Sequence, residues 1–154
     1  MSVYHEGKGS PIYKAIIVVL VGLLAYVVYE PYTIRAAEDA YRAESRARML
    51  NIRAAELQYI NRFFRYNSSL DSLVQFINDS LLTTGSWQQY FVPLEGGGFS
   101  PESLLRSPKS GRPYQFTAVD TTRIKKYELV CPDGYGTIGS LTDDGRVNKA
   151  SWED

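Results

Sequence analysis

An α+β fold is expected, in which an N-terminal transmembrane segment continues into a long helix packed on a small, mostly antiparallel β-sheet. Three observations lead there. Ala15 to Tyr29 is a fifteen-residue run without a charge. Tyr32 to about Tyr66 lacks Gly and Pro and is rich in Ala, Arg, Glu and Leu, which are strong helix formers. The C-terminal part alternates short strand-like runs with turn signals.

The first element is the span. At 1.5 Å per residue, fifteen residues cover about 22 Å of a hydrocarbon layer roughly 30 Å thick. Lys14 can snorkel toward headgroups, so that Pro11, Ile12 and Tyr13 add to the apolar length, while Tyr26, Tyr29 and Tyr32 mark the far interface. The residues after the run, Tyr29-Glu30-Pro31-Tyr32, offer no small-x-small cleavage site, so the segment is expected to be retained. Lys8, Lys14 and a short tail favour a cytoplasmic N-terminus, with the rest of the chain beyond Pro31 extracytoplasmic. Pro31 removes a hydrogen-bond donor and predicts a kink or a fresh helix start. The chain thus divides into a cytoplasmic tail (1–14), a transmembrane helix (15–31), a stalk helix (32–66) and an α+β head (67–154).

Along the stalk, Ala36, Ala40, Ala43, Ala47, Leu50, Ala54 and Leu57 form a seam with alternating steps of four and three, which breaks only at Asn61 before Phe64. Thirty-five residues would make a rod of roughly 50 Å. Small side chains let neighbouring helices approach, so Ala36, Ala40, Ala43, Ala47 and Leu50 are the candidate contacts with other subunits. Leu57, Ile60, Phe63 and Phe64 are large enough to dock the head. Arg42, Glu44, Arg46, Arg48, Arg53 and Glu56 lie between, placed for ion pairs within or between helices.

In the head, Ser68 or Ser69 caps a short helix with Leu70, Leu73, Val74 and Ile77 on one face. Residues 83–101 are read as a loop, because Gly96-Gly97-Gly98 lacks the Lys-Ser/Thr of a phosphate loop. Strands are predicted at Tyr114 to Val119, Tyr127 to Cys131 and Thr137 to Leu141. Asp143-Asp144-Gly145 is read as a hairpin turn into a last strand from Arg146 to Trp152.

Composition narrows the function classes. The 154 residues hold 17 basic and 17 acidic side chains, so no net field points to nucleic acid as a partner. Cys131 is the single cysteine and His5 the single histidine, which leaves no internal disulfide, no cysteine metal site and no Ser-His-acid or Cys-His arrangement in the head. Asp133, Asp143 and Asp144 lack the spacing of a calcium loop and are read as turn residues. No enzymatic activity and no cofactor are expected.

The order of elements, together with Ala55-Glu56-Leu57-Gln58-Tyr59, Phe64-Arg65-Tyr66, Ser69-Leu70-Asp71-Ser72-Leu73 and Gly111-Arg112-Pro113-Tyr114 leading a sheet, resembles a type IV pilin and, closer still, a type II secretion pseudopilin. The resemblance implies a pilin-like structural subunit of an envelope assembly. Its partners would be the lipid bilayer and other membrane or envelope subunits, including copies of itself. Such prepilins carry Gly followed by Phe-Thr-Leu-Ile-Glu, where this chain has Gly7-Lys8-Gly9-Ser10-Pro11-Ile12 and no acid within the span. The departure favours a non-filament use. The alternative is a bitopic protein whose head binds a soluble protein or an envelope polymer.

Overall fold

The computed structural model describes residues 10–83, 85, 87–121 and 123–153. His5, Lys8 and most of the expected tail lie outside them. Helix α1 runs Pro11–Phe63 and contains Pro31. The chain divides into two compact units, Met1–Asp39 and Ala40–Asp154.

In the first unit α1 has its side chains outward on every side. All described residues from Pro11 to Ala37 are exposed, and the helix is long and apolar enough to cross a membrane. A helix that is apolar all round and buries nothing against its own chain is matched to an apolar surrounding. The fresh helix start expected at Pro31 does not occur, since α1 continues through it. One missing donor removes one backbone bond, and strong helix formers on the far side carry the helix on.

In the second unit the helix stops at Phe63 rather than near Tyr66. Phe64 takes the left-handed conformation (φ 58°), and its N–H donates to the Ile60 carbonyl at 2.8 Å. This is an αL cap with Phe where Gly is the common choice, at a steric cost of about 1 kcal/mol. Ser69 then caps α2 (Leu70–Phe76) by accepting from the Ser72 N–H. The chain continues as a π-helical stretch at Ile77–Leu82. The glycines of the next loop close a tight turn in which Leu94 N–H donates to the Gly98 carbonyl. Phe91 stacks on Phe99 with ring centroids 4.4 Å apart, and both belong with the main core, so the stretch read as a loop contributes aromatic rings to it.

Strands β1 (Gln115–Asp120), β2 (Lys125–Val130) and β3 (Thr137–Gly139) form one antiparallel sheet in that order. Its register runs from Gln115↔Val130 to Asp120↔Lys125 and from Glu128↔Gly139 to Val130↔Thr137. The expected fourth strand is replaced by a 3-10 turn at Asp144–Arg146 and a single bridge, Ile138↔Ala150. Asp143 explains the change, because its carboxylate accepts from the Gly145 N–H and shapes the turn locally. Met49, Ile52 and Ala55 of α1 join Leu73, Ile77, Leu104, Tyr127, Leu129 and Ile138 in one buried core.

Gly139 ends β3 at φ 76°, and a Cβ there would collide with the Tyr127 carbonyl oxygen. Both the conformation and the close backbone approach require glycine. Gly139→Ala should therefore destabilise the head by about 3 kcal/mol or more, read as a loss of denaturant midpoint. An unchanged midpoint would mean that β3 does not lie this close to β2.

Candidate assembly interface

The face that α1 presents to the head is not the predicted seam. Ser45, Met49, Ile52 and Glu56 are buried, two positions later than Ala43, Ala47, Leu50 and Ala54 and so more than half a turn round the helix. Ala47, Leu50 and Ala54 are half-buried at the edge of this face, and Leu50 and Ala54 pack on the core. Of the four residues expected to dock the head, Ile60 packs against the core and Phe63 meets the buried Phe76 of α2 edge-on, with ring centroids 5.9 Å apart. Leu57 is 37% exposed and Phe64 75%, and Phe63 keeps 45% of its surface in solvent.

The docking face was missed because much of it is polar. Asn51 is fully buried; its amide nitrogen donates to the Val92 carbonyl at 2.9 Å, and its amide oxygen accepts from the Val92 N–H at 2.7 Å. Glu44 accepts from the Glu95 N–H at 2.9 Å and from Arg48 Nε at 2.9 Å. Arg48 Nη1 in turn donates to the Ser103 and Arg106 carbonyls. Arg53 donates to the Asn148 carbonyl and to Glu153. Arg46 donates to the Tyr135 carbonyl and lies 4.9 Å from the Trp152 ring centroid. Of the side chains read as placed for ion pairs, Glu44 pairs with Arg48 within the helix and Arg53 with Glu153, and these side chains also bind backbone of the segments that cover the helix. Replacing Asn51 by Leu keeps the volume and orphans both Val92 groups. It should cost about 2–4 kcal/mol of head stability, measured by denaturant unfolding, and a loss below 1 kcal/mol would refute the pairing.

Glu56 is the buried end of this row. One carboxylate oxygen accepts from the Asn67 N–H at 3.0 Å, while the other, the Asn67 amide nitrogen and the Tyr127 hydroxyl have no protein partner among the described residues. Burial pushes the Glu56 carboxyl up from 4.5 to about 7 against the opposing effect of the Asn67 bond, and burial likewise raises the Tyr127 phenol. Between 4.5 and about 7 the folded head holds a proton that the unfolded chain has released, so stability falls as pH rises through that window. The full cost above it is roughly 3 kcal/mol for the shift from 4.5 to about 7. Thermal midpoints of the head should drop from pH 4.5 to 7, and Glu56→Gln should flatten that slope. A slope that survives in the Gln variant would assign it to another group.

Two further polar clusters bind the sheet to its surroundings. Ser45 Oγ lies 2.9 Å from the Tyr114 hydroxyl and 3.3 Å from Cys131 Sγ. Cys131 is free and buried, and burial pushes the Tyr114 phenol up to about 12 despite the Ser45 bond. Asp133 accepts from Ser107 and Ser110 and pairs with Arg112 at 3.0 Å. Burial alone would raise its carboxyl, but these bonds outweigh burial and hold it at about 2. Asp144 pairs with Lys126. The three aspartates weighed as calcium ligands are thus engaged separately, and no group of three or more His, Cys, Asp or Glu side chains is placed to hold a metal among the described residues.

What faces outward is the upstream part of α1. Ala36, Ala40 and Ala43 are exposed, as are Lys14, Tyr26, Tyr29 and Pro31. Among these alanines, Ala40 and Ala43 belong to the same unit as the head. No family model, no curated protein and no solved structure matches the chain.

Proposed function

We propose that the chain is a membrane-anchored, pilin-like structural subunit of an envelope multiprotein assembly, such as a pseudopilus-like or other secretion or motility machine. Its N-terminus lies in the cytoplasm and its head outside, and it carries out no chemistry itself. The observation that carries this reading is the division of labour along α1: Ile12 to Ile34 are exposed and largely apolar, while Ser45 to Glu56 form the face on which the head is built. A protein that needed only an anchor has no use for exposed alanines on the helix that carries the head. Ala40 and Ala43 let a neighbouring helix approach closely at little entropic cost. The partners are the bilayer and other envelope subunits, including copies of this chain. A second reading, a bitopic protein whose head binds a soluble protein or envelope polymer, is favoured by the exposed Phe63 and Phe64.

Single cysteines at positions 36, 40 and 43 in a Cys131→Ser background separate the two. Cross-linking in intact membranes should give a ladder of multiples, and Ala40→Glu with Ala43→Glu should reduce it at least about tenfold while the head's thermal midpoint is kept. A ladder undiminished by the glutamates would remove the alanine contact, and one heterologous band would favour the tethered binder.

A further inference from the structure

The end of α1 and the tip of the β1–β2 hairpin form one surface in the second unit. Lys125 Nζ donates to the Phe64 carbonyl oxygen, which holds the hairpin against the helix end. Phe64, in its left-handed conformation, stands in solvent, and Phe63 beside it carries the Arg62 guanidinium 5.6 Å from its ring centroid. Ile124 at the hairpin tip is 50% exposed, and Arg65 and Arg123 are exposed as well. Phe64 and Ile124 are therefore displayed beside Arg65, Arg123 and Lys125, while Phe63 packs its ring against Phe76 of α2 and Arg62 donates to Ser80. Asp120, opposite Lys125 in the register, is the one acid of these two segments.

We propose that this surface binds an anionic phospholipid bilayer. Aromatic and aliphatic side chains enter the headgroup layer while Arg and Lys beside them meet the phosphates, a combination that neither water nor an apolar protein groove accommodates as well. Exposed rings flanked by arginine also suit single-stranded nucleic acid, where bases stack on aromatics. Ile124 decides between them, since an aliphatic side chain at the tip has no face for a base but partitions into lipid. The Phe64 backbone points the same way: a bulky residue occupies a position where Gly would be unstrained, and it covers no core in return. The inference goes beyond the assembly role and does not rest on it.

The full chain, held in nanodiscs of neutral lipid, tests this in trans against separate vesicles of phosphatidylcholine with or without phosphatidylglycerol. Co-flotation with the phosphatidylglycerol vesicles should exceed that with phosphatidylcholine alone by about tenfold and decline as salt is raised. Phe64→Gly, which suits the left-handed backbone and so keeps the fold, should lower co-flotation by about tenfold. Arg65→Gln with Arg123→Gln should weaken its salt dependence, and an unchanged salt dependence would overturn the proposal. Equal binding to both vesicles, no binding to either, or an unaffected Phe64→Gly variant would overturn the proposal. So would capture of an oligonucleotide in preference to the anionic vesicles.

Discussion

Pairing of buried backbone by side chains of a helix is the constraint on which the second unit depends. The segments that cover α1 around Val92, Glu95 and Asn67 are irregular, and their N–H groups have no ladder to join. Asn51, Glu44 and Glu56 supply the partners. A purely apolar face at these positions would bury more hydrocarbon yet leave those donors without acceptors, each at a cost of about 1–3 kcal/mol. The result is a core that is apolar at its centre, around Met49, Ile52, Tyr127 and Leu129, and fixed along one edge by specific polar contacts. The apolar centre supplies most of the stabilisation, and the polar edge selects one arrangement of the loops.

How much of this was legible in the sequence follows from the same distinction. The α+β layout, the long helix, a serine cap at 68 or 69 and three of the four expected strands could be read, because helix propensity, capping and period-two alternation are local signals. The docking face could not. Apolar spacing pointed to Leu57, Ile60, Phe63 and Phe64, whereas much of the docking runs through Ser45, Asn51 and Glu56, whose value depends on groups brought from 69, 41 and 11 residues away. A polar residue that will be buried with a partner and one that faces water look alike in a one-dimensional pattern. The signal within reach was Met49 with Ile52, the large apolar pair on α1 that the alanine seam did not include. The end of α1 was equally hidden, since a Phe at an αL cap breaks the statistical rule for Gly.

The turn at Gly111-Arg112-Pro113-Tyr114 has a clear physical part: Arg112 reaches Asp133 and the Pro132 carbonyl, and Tyr114 meets Ser45 on α1. This ties the start of β1 both to the end of β2 and to the helix. Such a tie explains why those residue types stand together without requiring any particular ancestry.

The long reach of the α1 contacts also bears on the order of folding. Helix turns form in well under a microsecond, whereas contacts between distant parts of a chain wait for loop closure. Arg53 meets Glu153 across 100 residues, and Ser45 meets Cys131 across 86. Along α1, Glu56, Asn51 and Glu44 find their partners at Asn67, Val92 and Glu95, ahead of the sheet, whereas Ser45 and Arg53 wait for Cys131 and Glu153. During that interval this part of the docking face is open to any other chain with free backbone groups. The residues that give the finished head its single arrangement therefore also create its main opportunity for mispairing.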